Sequence, residues 1–184
     1  RMNLYTVRKA TQGLANFILK QGTAPKGVAI SFDSRRMSPE FAEETALCLN
    51  ANGIPTYRFD SLRPVPMLSF ATRVLGCTAG VMITASHNPP AYNGYKVYGD
   101  DGCQIASQAA VEIQEGIDGL DFFDDVKRMD FEEAVQAGLI EIMGEETDRA
   151  FMKEVMAMVN DRESMSKVAD TFKVVYTCLL YTSP

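Results

Sequence analysis

The sequence predicts an α/β protein: a three-layer α/β/α domain built on a mixed, mainly parallel sheet. Three observations carry this. Short apolar runs alternate with segments of helical period along the first 85 residues. The runs GVAISF (27–32) and GVMITA (80–85) are apolar almost throughout, as strands covered on both faces are. Glycine, proline and serine fall at the joins, where caps and turns need them.

The elements follow in order. Leu4, Val7, Leu14, Phe17 and Ile18 recur at helical spacing, which predicts a helix over residues 3–20, ended by Gly22 and Pro25. Residues 27–32 read as the first strand. In DSRRMSPEF, Ser38 suits an N-cap, Pro39 the first helical position and Glu40 the positive end of the helix dipole. That helix runs to about Asn52, with Gly53 placed to end it. Residues 54–60 read as a strand, 66–75 as a helix closed by Gly76, and 80–85 as a buried strand. Residues 95–98 and 103–105 read as two short strands about the turn GDDG. Ser107 suits the cap of a helix to about Ile117, and further helices are predicted over 131–137 and 146–160. Residues 1–160 are thus expected as one domain, 161–171 as a linker, and 172–184 as the first strand of a truncated second domain. The helical pattern already runs at Arg1, so the start is expected upstream, and the closing CLLYTSP is expected to be non-native.

Composition narrows the function. Hydrophobic residues make up 46% of the chain and the net charge is −6, a globular balance unsuited to a general nucleic-acid backbone binder. A local anion pocket of backbone amides and one or two cations is compatible with that charge. Cys48, Cys77, Cys103 and Cys178 form no C-x-x-C pair and there is a single histidine, so reduced cysteines in a cytoplasmic protein are expected rather than zinc. No stretch approaches the roughly 18 apolar residues of a membrane span. No oligomeric state follows from the sequence.

The segment TASHNPPAYNGYK (84–96) concentrates chemistry. Ser86 follows a buried strand, at the carboxyl edge where α/β sheets bind ligands. DSRR after the first strand falls on the same edge. A serine there often starts a turn. A hydrolase nucleophile is disfavoured: there is no G-x-S-x-G elbow, and the only histidine is adjacent in sequence. A serine that carries a phosphoryl group needs N–H donors and cations, which a loop stiffened by Pro89 and Pro90 and turned by Asn93-Gly94 could present with His87, Lys96 and Arg35. Lys96 is either a solvated edge charge or a proton donor and acceptor. His87 is either a turn residue or a site cation. Asp33 either pairs with Arg35 or caps a turn. Asp100 and Asp101 read as turn aspartates beside Gly102.

T-A-S-H-N-P followed by Asn-Gly-Tyr-Lys resembles the phosphoserine loop of the α-D-phosphohexomutases, the phosphoglucomutase and phosphomannomutase superfamily. GVAISFDSRRMSPEFAEETALCLNANGI and LRPVPMLSFATRVLGCTAGVMITASHNPPAYNGYKVYGDDG are similar to that family's first domain, and the resemblance covers about residues 1–177. It implies that Ser86 carries the phosphate and lends one of its oxygens to Mg²⁺. It implies catalytic roles for Lys96, His87 and Arg35, and substrate or phosphate binding by Asn88, Asp33 and Asn93. The implied reaction moves phosphate between O1 and O6 of a hexose, most simply glucose, through a hexose 1,6-bisphosphate. Phosphomannomutase, phosphopentomutase and a non-catalytic sugar-phosphate-binding module are the alternatives. The implied partner is the sugar phosphate, with neither nucleic acid nor membrane. The family's G-T-x-G-x-R-G element and its aspartate-rich metal loop, D-G-D-x-D-R in pattern, are absent from these residues, so the remaining Mg²⁺ ligands are expected in a second domain and the chain alone is expected to lack mutase turnover.

Overall fold

The computed structural model describes residues 2–89 and 91–175. They fall into two compact units, Arg1–Gly144 and Glu145–Pro184.

The first unit is built on a five-stranded sheet. In chain order its elements are α1 (Leu4–Lys20), a 3₁₀ turn (Ala24–Lys26), β1 (Val28–Phe32), α2 (Ser38–Ala51), β2 (Thr56–Phe59), α3 (Val65–Val74), β3 (Ala79–Ile83), β4 (Tyr95–Gly99), α4 (Ser107–Asp118), α5 (Phe131–Gln136) and β5 (Ile140–Met143). The sheet order is β4-β3-β1-β2-β5, and every pairing is parallel except β3 with β4. The sheet is therefore mixed and mainly parallel, as the sequence predicts.

The alternation of strand side chains divides the core. Val28, Ile30 and Phe32 of β1 pack with Val81 and Ile83 of β3 against Val7, Leu14 and Ile18 of α1 and Phe41, Ala46 and Leu49 of α2. Ile113 of α4 joins the same cluster. On the other face Ala29 and Met82 pack with Leu68 of α3 and with Cys77 and Tyr98. Small residues let α3 approach: a Cβ on Gly80 would lie 2.5 Å from Thr72 Oγ1. Since β1, β2 and β3 run parallel, the segments leaving them all emerge at one edge. The two polar segments of interest are among these.

Several boundaries differ from the sequence reading, each for a local reason. Asn3 caps α1 in a capping box with Thr6. Ser38 is not the N-cap of α2. It is the first helical residue, and Met37 precedes it in the left-handed region at φ 64°. The Ser38 hydroxyl donates to the Asp33 carboxylate and accepts from Asn93 Nδ2, so it is turned to the two loops and not to the N–H groups of its own helix. The N-cap of α4 is likewise Ala106, one residue ahead of Ser107. Residues 103–105 do not form a strand; they make one isolated bridge, Tyr98 with Gln104. The Asp101 carboxylate accepts from the Cys103 N–H at 2.8 Å and closes the GDDG turn. β5 has no counterpart in the sequence reading, because IEIM is short and set among charged and helical segments.

The second unit holds α6 (Glu145–Ala157) and α7 (Arg162–Val168). Residues 161–171, expected as a linker, thus carry a helix, whose start is capped by the Asp161 side chain on Ser164 N–H. Residues 172–175 are in no strand, and the rest of the expected strand and the CLLYTSP tail lie outside the described residues. No helix among the described residues is long and apolar enough to cross a membrane.

One buried charge ties helices of the first unit together. Glu44 of α2, whose side chain is 10% exposed, accepts from Arg8 Nε of α1 at 2.5 Å and from Arg128 Nε at 3.1 Å. Burial pushes its carboxyl pKa up, but the hydrogen bonds and charges of Arg8 and Arg128 outweigh burial and hold it below the ordinary 4.5. The folded value lies below the unfolded one. The stabilisation is therefore complete above 4.5 and is lost as pH falls through the folded value. Glu44→Gln is expected to cost about 1–3 kcal/mol at neutral pH in urea unfolding and to flatten the acid limb of stability against pH.

Candidate active site

β1 ends in Phe32, and the next residue, Asp33, places a carboxylate at the carboxyl edge of the sheet. This carboxylate collects donors. Oδ1 accepts from the Arg35 backbone N–H at 3.0 Å and from Ser38 Oγ at 3.0 Å. Oδ2 accepts from Arg35 Nε at 3.0 Å and from Thr84 Oγ1 at 2.6 Å. A sharp local turn brings Arg35 back over its own neighbour, and the ion pair fixes the guanidinium plane.

Arg35 then reaches across to the segment after β3. Its Nη1 donates to the carbonyls of Pro89 and Tyr92 at 2.9 and 3.1 Å, and its Nη2 donates to the Ser86 carbonyl at 2.7 Å. Four of the five guanidinium N–H groups are thereby engaged. The residue is 6% exposed. The structure places Arg35 as the brace of the serine loop rather than as a free cation at the surface.

Ser86 is held in the left-handed region at φ 55°. Such a conformation is uncommon for a residue other than glycine and persists only where its surroundings enforce it. Its N–H donates to Thr84 Oγ1 at 3.2 Å and its carbonyl accepts from Arg35. Its side chain is on the exposed side of the turn, and there its Oγ accepts from Lys96 Nζ at 2.5 Å. Lys96 belongs to β4, which pairs antiparallel with β3 in the register Met82 with Lys96 and Ile83 with Tyr95. Antiparallel pairing returns the chain so that the lysine stands beside the end of β3. The return is tight: a Cβ on Gly94 would lie 2.6 Å from the Thr84 carbonyl oxygen.

The other expected residues take different places. Asn93 donates from Nδ2 to Ser38 Oγ at 2.8 Å and to the Arg36 carbonyl at 3.2 Å, and its Oδ1 accepts from Gly94 N–H. Its carboxamide joins the two loops. Asp33 lies beneath the serine loop with both oxygens engaged. His87 and Asn88 are exposed; the Asn88 N–H donates to the Ala85 carbonyl, and His87 makes no hydrogen bond or ion pair among the described residues. A cleft of about 680 Å³ beside the loop is lined by Arg36, Met37, Phe41, Tyr92 and Asn93 among others.

Three residues of this constellation were not found from the sequence. Thr84 and the Ser38 hydroxyl both bind Asp33. Tyr95 seats its phenol against α1, where its hydroxyl is hydrogen-bonded with Thr11 Oγ1 at 3.1 Å and burial pushes its pKa up. The available signal was polarity where apolar residues were expected: Thr84 directly follows buried β3 and is itself 6% exposed.

Among the described residues no group of three or more His, Cys, Asp or Glu side chains lies close enough to hold a metal ion. Asp33, the carboxylate next to the loop, has both oxygens engaged by donors. The described residues do not form a Mg²⁺ cage by themselves.

Comparison with known proteins bears on the same residues. Residues 1–124 match the family described as phosphoglucomutase/phosphomannomutase, alpha/beta/alpha domain I. A "Phosphoglucomutase" of Staphylococcus saprophyticus is 38% identical over 183 residues, covering 100% of this chain and 32% of that protein. A "Probable phosphoribomutase" of Schizosaccharomyces pombe is 50% identical over 107 residues, covering 57% of this chain and 18% of that protein. A crystal structure from Thermus thermophilus, described provisionally as a phosphomannomutase, has the same fold, with a TM-score of 0.75 at 24% identity over 95% of this chain and 35% of that one. The chain thus spans about a third of the length of the Staphylococcus saprophyticus relative, 32%.

The brace can be separated from its charge. Arg35→Lys keeps the positive charge but cannot reach Asp33 and three loop carbonyls together. Amide exchange over residues 86–92 is expected to quicken by about tenfold or more, while β1 and β3 keep their protection. Unchanged exchange would show that the loop holds without the guanidinium.

Proposed function

The chain belongs to the phosphoglucomutase/phosphomannomutase family, as its alpha/beta/alpha domain I, and on that premise we propose that Ser86 is the phosphoryl carrier of a sugar-phosphate mutase. The observation that supports this most is the Lys96 ammonium, 2.5 Å from the Ser86 oxygen at the tip of a strained, braced loop. Placed there, the ammonium can give a proton to the serine oxygen, a role that passive phosphate binding does not require.

The chemistry that these residues suit runs in two directions. With the phosphate on Ser86, a sugar hydroxyl attacks phosphorus, the P–Oγ bond breaks, and Lys96 gives a proton to the leaving Ser86 oxygen. In the return step the Ser86 hydroxyl attacks the other phosphate of the bisphosphorylated sugar, the bond from that phosphorus to the sugar oxygen breaks, neutral Lys96 takes the serine proton, and the leaving sugar oxygen regains a proton from the acid form of the base that serves the sugar hydroxyl. The base for the sugar hydroxyl lies outside this pair. His87, exposed beside the serine, is available to the transferring group as a donor, as is the Asn88 carboxamide. The substrate on this reading is a hexose 1- or 6-phosphate, glucose first, since the Staphylococcus relative bears the name phosphoglucomutase. A pentose phosphate is the second choice, on the Schizosaccharomyces relative's name. Mg²⁺, where present, would supply charge neutralisation at the phosphate, with the phosphoserine as this chain's ligand and the remaining ligands from beyond these residues.

Turnover on this reading belongs to a longer, full-length protein in which this chain is domain I with the beginning of the next domain. In that protein, Ser86→Ala is expected to abolish interconversion of glucose 1- and 6-phosphate in a coupled assay. Lys96→Gln is expected to lower kcat by about 10²- to 10⁴-fold. Full activity in Ser86→Ala would rule out the carrier role.

A further inference from the structure

The two hydroxyls that meet Asp33 share one logic. An ionised carboxylate only accepts hydrogen bonds, and a hydroxyl has a single proton to give. Ser38 Oγ and Thr84 Oγ1 must therefore both donate to Asp33, at 3.0 and 2.6 Å. Each is left with an oxygen lone pair of fixed direction. Thr84 offers its lone pair to the Ser86 N–H at 3.2 Å, and Ser38 offers its own to Asn93 Nδ2 at 2.8 Å. These two N–H groups stand near opposite ends of the serine loop. Both hydroxyls are buried: Ser38 is 0% and Thr84 6% exposed. Water therefore has little access to either contact.

We propose that Thr84 and Ser38 are positioning residues for the reaction at Ser86, each transmitting the orientation of Asp33 to one end of the loop. Thr84 ties back the Ser86 N–H and holds the residue at φ 55°, which turns Oγ toward Lys96. Ser38 holds Asn93, which through the close Gly94 turn sets where β4 and Lys96 begin. The distance between Ser86 Oγ and Lys96 Nζ is thus set from both sides by one carboxylate. Neither hydroxyl touches the reacting atoms. This inference rests on the reading of Ser86 as a phosphoryl carrier, and its test separates the two.

The test uses Thr84→Val, Thr84→Ser and Ser38→Ala in the full-length protein. Two readouts are taken: single-turnover transfer of phosphate from a hexose 1,6-bisphosphate to Ser86, and amide exchange of the Ser86 N–H. Thr84→Val keeps the branched shape and removes the hydroxyl. It is expected to slow transfer by about 10- to 100-fold with half-saturation unchanged, and to speed Ser86 amide exchange by a similar factor. Thr84→Ser is expected to restore both, which loss of packing alone would not explain. Ser38→Ala is expected to slow transfer less, leaving Ser86 exchange close to wild type. Transfer within about twofold of wild type in both Thr84→Val and Ser38→Ala overturns the proposal. If the wild-type protein transfers no phosphate to Ser86, the carrier reading falls and exchange alone decides the hydroxyl relay. Lost protection in Thr84→Val with recovery in Thr84→Ser then supports the relay, and unchanged protection overturns it.

Discussion

The Asp33 carboxylate accepts four hydrogen bonds at the end of β1, and the geometry of the serine loop follows from it. It makes an ion pair with a guanidinium that is almost wholly buried, with a side chain 4% exposed. A guanidinium left unpaired at such a place costs several kcal/mol, about 3–5 where a buried pair is broken. The pair is therefore a constraint as much as a contact. Given Asp33, Arg35 has one orientation, and given Arg35, the carbonyls of Ser86, Pro89 and Tyr92 must converge on it. A loop whose carbonyls point inward to one cation presents other groups outward. Those are the Ser86 hydroxyl, His87 and Asn88.

The sheet supplies the rest of the constraint. Parallel pairing of β1 and β3 brings the starts of both loops to one edge, and antiparallel β4 returns Lys96 to the same place. The strand that runs against its neighbour is thus the strand that carries the lysine. Its position is secured behind by Tyr95 on α1 and in front by the close passage of Gly94 over Thr84. Strain at Ser86 is tolerable because three separate hydrogen bonds, at its N–H, its carbonyl and its hydroxyl, act on that one residue.

Much of this was legible in the sequence, and the exceptions have physical reasons. The buried strands and their helices announce themselves through apolar runs and helical period, so β1, α2, β3 and their order are plain. Ser86 and Lys96 stand out as reactive groups on a proline-stiffened loop. What sequence alone does not show is direction. Ser38 before Pro39 satisfies every local rule for a helix cap, yet Asp33 takes its proton, Asn93 takes its lone pair, and the helix begins at Ser38 with Met37 before it. Arg35 reads as a site cation, but its N–H groups turn inward to carbonyls that only folding brings together. Asn93 reads as a turn residue and serves also as a strut to Ser38, 55 positions away. β5 escaped notice because its pattern, IEIM, is too short to separate from its surroundings. Long-range hydrogen bonds leave no period in a sequence.

The proposed function rests on Ser86 taking up a phosphoryl group. It is tested most directly by phosphopeptide mass spectrometry of the full-length protein, purified without phosphatase and incubated with a hexose 1,6-bisphosphate and Mg²⁺. The expected result is a phosphate on Ser86 that disappears when a hexose monophosphate is added. A Ser86 that stays unmodified under both conditions would contradict it, and the braced loop would then be a binding surface for sugar phosphates rather than a carrier.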